Sequence, residues 1–176
     1  MDTLITPLFS YATIIAHALF VVIILSCIFY RSWGKPLVEA IGRHAVILGF
    51  LSALAAVLGS LLYSGVVGYA PCELCWWQRI FLYPQVVLFG VALYKKDGGV
   101  FAYSVVLSIF AGVIALYHSY IQLGGTRSVL PCTAEGAACA KVFVNEFGYI
   151  TIPTMALTVA LGLLLIALCR KLYKRM

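Results

Sequence analysis

The chain has 176 residues, of which 64% are hydrophobic and only 10% charged, with a mean hydropathy of +1.05. That composition excludes a water-soluble globular domain and places the chain among integral membrane proteins. The net charge of +6 does not point to nucleic acid, because most of the basic residues stand at the ends of apolar runs, where they orient a chain in a bilayer.

Residues 8–30 form a first apolar run, long enough to cross a hydrocarbon core of about 30 Å. Met1-Asp2-Thr3-Leu4 carries no basic segment and the run is too long for a signal-peptide core, so a retained span is expected. Arg31, Lys35 and Arg43 follow, and Pro36 suits the first residue of a helix that continues into a second span over 45–67. In that span Gly49, Ala53, Ala56, Gly59 and Ser60 recur at spacings of three and four, which lets membrane helices approach closely.

Gly65, Gly68 and Pro71 mark a loop, after which comes Cys72-Glu73-Leu74-Cys75-Trp76-Trp77-Gln78-Arg79. The third span covers 76–94, with a kink expected at Pro84 because the Ile80 carbonyl loses its helical partner. A tight basic turn at 95–99 leads to a fourth span over 100–121, with His118 near its far end. Residues 122–149 are the longest polar stretch and hold Cys132 and Cys139; the apolar-rich part over 139–147 is expected as a short surface helix. A fifth span over 150–169 ends in Arg170, Lys171, Lys174 and Arg175.

Of the twelve Lys and Arg residues, three fall in 31–44, two in 95–99 and four in the C-terminal tail. With five spans these segments share one side, which the positive-inside rule makes cytoplasmic. Both cysteine pairs are then extracytoplasmic, where disulfides persist.

Six cysteines are present. Cys27 and Cys169 lie near the cytoplasmic span ends and read as inert apolar residues. For the outer four, three roles compete. Static disulfides closing such short loops would restrain little chain. A zinc site usually has paired CxxC spacing, met here once. Exchanging disulfides are the preferred reading. If Cys75 opens the third helix, the positive end of the helix dipole favours its thiolate. Arg79, one turn deeper, is costly in hydrocarbon and therefore a candidate functional residue. Electrons reaching a membrane dithiol must leave it, and a lipid-soluble quinone is the natural acceptor. Trp76, Trp77, Arg79 and His118 offer aromatic, cationic and proton-donating groups for it, with Arg79 stabilising developing negative charge.

The order CxxC, Trp-x-Gln-Arg, a Pro131-Cys132…Cys139 loop, and Gly148-Tyr149-Ile150-Thr151-Ile152-Pro153-Thr154 resembles the DsbB/BdbC family of disulfide-forming membrane oxidoreductases over about residues 45 to 170. The resemblance implies an all-α fold: a four-helix transmembrane bundle over 45–176 preceded by one extra N-terminal helix and loop over 1–44. It implies that Cys72 and Cys75 form a disulfide regenerated by ubiquinone or menaquinone, with Cys75 nearest the ring and with Gln78, Arg79, Trp76 and His118 around the quinone. Cys132 would be attacked by a DsbA-like thioredoxin-fold partner, and Cys139 would exchange with Cys72. The implied location is the bacterial cytoplasmic (inner) membrane, with no metal cofactor. The chain departs from well-known members in its extra first span and its short Cys132/Cys139 spacing, so residues 1–44 have no role by analogy and the division of labour between those two cysteines stays open. The rival readings are a vitamin-K-epoxide-reductase-like protein, in which the loop pair precedes the CxxC, and a scaffold with structural or zinc-binding cysteines.

Overall fold

The computed structural model describes residues 2–123 and 139–175, and the described residues contain six α-helices and no strand. They are α1 (Asp2–Ile28), α2 (Lys35–Arg43), α3 (Ala45–Leu61), α4 (Glu73–Lys95), α5 (Val100–Gln122) and α6 (Ile152–Tyr173). Four segments, Ile5–Ile28, Ala45–Val66, Val100–Gln122 and Ile152–Tyr173, are long and apolar enough to cross a membrane. The protein is a multi-pass membrane protein. Helix α4 is as long as α5, but Glu73, Gln78, Arg79, Gln85 and Lys95 make it more polar.

Helices α3, α4, α5 and α6 pack as a ring in which each touches the next and α6 closes back on α3. The core is built where small residues admit large ones. A Cβ at Gly49 would stand 2.6 Å from Phe89 Cε1 and Cζ, so only glycine lets α3 seat that fully buried ring. Phe89 meets Phe101 of α5 edge-on at 5.4 Å between centroids. The buried amide of Gln85 is satisfied by Ser104 and Ser108 of α5, with Ser104 Oγ donating to Oε1 at 2.6 Å. Buried polar groups left unpaired are costly in an apolar surround, so this pairing fixes how α4 faces α5.

Outside the ring, α1 lies along α6 and α2 packs against both. Most large apolar side chains of α1 are exposed, as expected of a helix facing lipid on its outer side. Pro36 sits in the first turn of α2, one residue after its start, but α2 does not run on into α3. His44 interrupts them with non-helical backbone (φ −97°, ψ 13°). Helix α4 passes Pro84 as one continuous helix. The expected surface helix over 139–147 is not formed. Residues 139–151 make turns closed by a bridge between Glu146 and Ile150, and Phe147 (φ 53°) and Gly148 (φ 78°) take left-handed backbone that no helix could accommodate.

Candidate active site

Helix α4 begins at Glu73, two residues before Cys75, and its cap is a cysteine. Cys72 has extended backbone (φ −74°, ψ 174°), and its sulfur accepts the Cys75 backbone N–H at 3.4 Å. That places Cys75 in the first helical turn, where the dipole favours an anion. The two sulfurs stand 3.0 Å apart as a hydrogen-bonded dithiol. The hydrogen bond that Cys72 donates to Cys75, and then burial, push the Cys72 thiol from its ordinary 9.0 up to about 12. The same bond holds Cys75 below 9.0, aided by a backbone hydrogen bond and the Arg79 charge, against a desolvation that acts the other way. A single proton is thus shared unequally, with the negative charge favoured on Cys75.

One turn deeper, Gln78 and Arg79 diverge. The Gln78 amide lies 3.2 Å from His118 Nδ1, and His118 is fully buried. Its Nε2 lies 3.1 Å from the Cys139 carbonyl and 3.7 Å from the Cys72 sulfur. Arg79 turns toward α3 instead: Nε donates to Ser60 Oγ at 2.9 Å and Nη2 to the Ser60 carbonyl at 3.3 Å. Just beyond Ser60 the helix widens into a π-turn over Leu62–Val66, a distortion common at functional sites. The guanidinium also lies 5.0 Å from the Trp76 ring and 5.9 Å from that of Tyr83.

These groups surround two openings. A cavity of about 680 Å³ has Cys72, Cys75, Gln78, Arg79 and His118 at one end. A second hollow is lined by Pro71, Cys72, Glu73, Trp76, Trp77 and Cys139. Cys72 belongs to both, Cys75 to the cavity, and Cys139 to the hollow. Trp76 is half exposed on the hollow side and reaches the cavity through its contact with Arg79. Cys132 lies outside the described residues.

Cys72 Sγ, Cys75 Sγ and a His118 ring nitrogen also lie within 4.8 Å of one another, a donor set a soft cation would accept. Sequence reasoning passed over Tyr83 and Gln122 as site residues. Both line the cavity, and the Tyr83 hydroxyl and Gln122 Oε1 are buried without a hydrogen-bond partner among the described residues. Tyr83 is four residues from Arg79 and so on its helix face, which was the available signal. Cys27 and Cys169, expected to be inert, meet at the α1–α6 contact with their sulfurs 3.8 Å apart.

The family model described as "Disulfide bond formation protein DsbB" matches residues 42–170. The "Probable disulfide formation protein C" of Bacillus cereus is 39% identical over 132 residues, covering 72% of this chain and 89% of that protein. The "Disulfide bond formation protein C" of Bacillus subtilis strain 168 is 40% identical over 118 residues, covering 66% and 84%. The "SPbeta prophage-derived disulfide bond formation protein B" of the same strain is 40% identical over 131 residues, covering 72% and 88%. No solved structure matches the chain. With the matched segment running from the end of α2 through nearly all of α6 and holding the residues around Cys72 at both openings, the chain belongs to the DsbB family of disulfide bond formation proteins.

Proposed function

We propose that the protein is a membrane thiol:quinone oxidoreductase that reoxidises an extracytoplasmic DsbA-like dithiol protein and so supports disulfide formation. The observation that carries this reading is the sharing of Cys72 between the two openings, with Cys139 in one and Cys75 in the other. Such an arrangement lets thiol exchange enter on one side of the α4 terminus and leave on the other. The named relatives and the family support the disulfide-forming role.

Electrons would pass through successive thiol–disulfide exchanges. A partner thiolate attacks Cys132, breaking the Cys132–Cys139 bond and freeing the Cys139 thiolate. Cys139 attacks Cys72, and the Cys72–Cys75 bond breaks with Cys75 leaving. A leaving thiol of low pKa departs faster, which matches the direction of its shift. The partner's second thiol releases it as a disulfide, and Cys132 then displaces Cys72 from Cys139. The Cys72/Cys75 dithiol re-forms its disulfide by giving up two electrons and two protons, for which a bound quinone would be the acceptor. The fit of such a ligand rests on the mainly apolar cavity and on the unpartnered Tyr83 hydroxyl and Gln122 Oε1 at its head. Arg79 would hold negative charge there, and His118 would hold a proton beside Cys72 and Cys139.

In this proposal residues 45–176 are the oxidoreductase bundle and residues 1–44 an added helix and loop. The cysteine end faces outward, and the basic ends lie in the cytoplasm of a bacterial inner membrane. The order of the pairs, CxxC first, speaks against the vitamin-K-epoxide-reductase arrangement. A second reading, zinc held by Cys72, Cys75 and His118, is favoured by their mutual closeness. Anaerobic quinone reduction by purified protein with a reduced thioredoxin-fold donor decides between them. Rapid reduction that is lost in Cys75→Ser is expected. No reduction, with stoichiometric zinc in the folded protein, would replace the oxidoreductase reading with the metal site.

A further inference from the structure

We propose that the extra helix α1 is the outer wall of a channel that holds the isoprenoid tail of the quinone, an inference that rests on the quinone reading above. The cavity that begins at Cys75 and Arg79 does not end there. It continues between α1 and the faces of α3 and α6, past Ala56, Val159 and Leu48, to Leu37, Ile41 and Ile166 at the opposite end of the bundle. On α1 its lining runs from Phe9 to Ile23, a rise of about 21 Å at about 1.5 Å per residue.

The way α1 seats explains the hollow. A Cβ at Gly59 of α3 would stand 3.0 Å from Phe9, and one at Gly162 of α6 would stand 3.2 Å from Phe20. Two large rings therefore enter two glycine notches, one on each helix. Between them α1 presents Ala12, Thr13 and Ala16 to the cavity, side chains too short to fill it. His17 fixes the rotation and height of α1: its Nε2 pairs with Thr158 Oγ1 at 2.8 Å, and its Nδ1 with the Tyr149 hydroxyl at 3.3 Å. An ionisable residue inside a span is usually functional, and here it pins the wall.

The channel's walls are mainly apolar, so the space suits an apolar chain better than water. Membrane helices gain nothing by leaving apolar lipid for one another, and the contacts holding α1 must come from shape and polar pairing, as they do here. A ring within reach of Cys75 has its substituent in the same continuous space. That continuity favours a prenyl tail over a phospholipid acyl chain as the occupant.

The test uses the full-length protein in lipid, with a tailless quinone, a long-tail quinone, and a long-tail quinone carrying a diazirine at the tail's end. Photolabelling of wild type, located by peptide mass spectrometry, is expected on α1 between Ala12 and Ile23. Ala16→Trp, which puts an indole into the channel, is expected to lower the ratio of long-tail to tailless turnover by about tenfold, since forcing extra bulk into a filled space is strongly unfavourable. Label confined to the lipid-facing sides of α4 and α5, or an unchanged ratio, overturns the channel and leaves the quinone reading standing. A wild type that exchanges thiols but reduces neither quinone overturns both. A diazirine phospholipid that labels the same α1 residues and resists displacement by long-tail quinone gives the channel to lipid. If Ala16→Trp does not fold, the wild-type label decides alone.

Discussion

Arg79 Nε donates to Ser60 Oγ across 2.9 Å, so the charge nearest Cys75 is held from the end of a different helix. A second bond, to the Ser60 carbonyl, aims the planar guanidinium in a way a lysine cannot reproduce. Losing one charge-assisted hydrogen bond is worth about 1.5–3 kcal/mol. Arg79→Ala is therefore expected to raise the quinone KM by about tenfold to a hundredfold, at about 1.4 kcal/mol per tenfold. Arg79→Lys should fall between, and Ser60→Ala should cost a few-fold by loosening the aim. Steady-state kinetics with varied quinone and saturating dithiol donor checks this; an unchanged KM in Arg79→Ala would remove Arg79 from the quinone end of the site.

The unequal proton between Cys72 and Cys75 has a direct readout. Because Cys75 is held below 9.0, its thiolate fraction rises with pH and levels off before an ordinary thiol would. Cys72, pushed to about 12, should stay unreactive over that range. Alkylation of the reduced protein across a pH series, resolved by mass spectrometry, should show Cys75 labelled first at every pH below about 12. Cys72→Ala removes the largest stabilising contact of the Cys75 thiolate, so the Cys75 midpoint should move up. Equal alkylation of both cysteines near neutral pH would contradict the shared-proton geometry.

Much of this arrangement is legible from sequence, because the helix ends are set by strong local signals. The starts of α3, α4 and α5 fall within a few residues of the apolar boundaries, and Pro36 sits in the first turn of α2. The small residues of α3 announce close packing, and Gly49 provides it against Phe89. The same stripe also conceals something: Gly59 receives α1, and Ala56 lines the cavity. Periodicity cannot distinguish a small residue that admits a neighbour from one that leaves a space. The turns over 139–151 were misread because an apolar-rich stretch resembles an amphipathic helix, while the left-handed Phe147 and Gly148 depend on closing the Glu146–Ile150 bridge. His118 is visible as a titratable residue at a helix end, but its two partners come from α4 and the second cysteine loop and have no local signature.

The packing of α3 on α4 supplies a stability test independent of chemistry. A methyl group at Gly49 would collide with the Phe89 ring, itself fully buried and braced by Phe101. Gly49→Ala should destabilise by about 1–3 kcal/mol, the usual range for overpacking. Adding Phe89→Leu should recover part of the loss, since the smaller side chain vacates the contact. Thermal unfolding in detergent would measure both; a Gly49→Ala protein as stable as wild type would mean that α3 and α4 are not this close.

In the proposed relay His118 serves the sulfurs more than the quinone. With the Gln78 amide donating to Nδ1, the neutral ring carries its proton on Nε2, which donates to the Cys139 carbonyl at 3.1 Å. The Cys72 sulfur lies 3.7 Å from that same nitrogen, so a small movement suffices to turn the N–H from the carbonyl to the sulfur. In the proposed relay this matters at the displacement of Cys72 from Cys139, when Cys72 leaves as the more basic of the two α4 thiols and its departing thiolate needs a hydrogen-bond donor. A donor fixed on developing negative charge in this way contributes about 10²–10³ in rate. His118→Ala is therefore expected to slow the Cys139–Cys72 exchange by about a hundredfold, with mixed disulfides accumulating, while the quinone KM moves less than in Arg79→Ala. Gln78→Ala should give a smaller loss of the same kind, because the ring remains but its proton is no longer directed to Nε2. Rapid-quench trapping of the exchange intermediates separates the steps. If His118→Ala instead raises the quinone KM and leaves exchange fast, the histidine acts at the cavity and its contact with Cys72 is incidental.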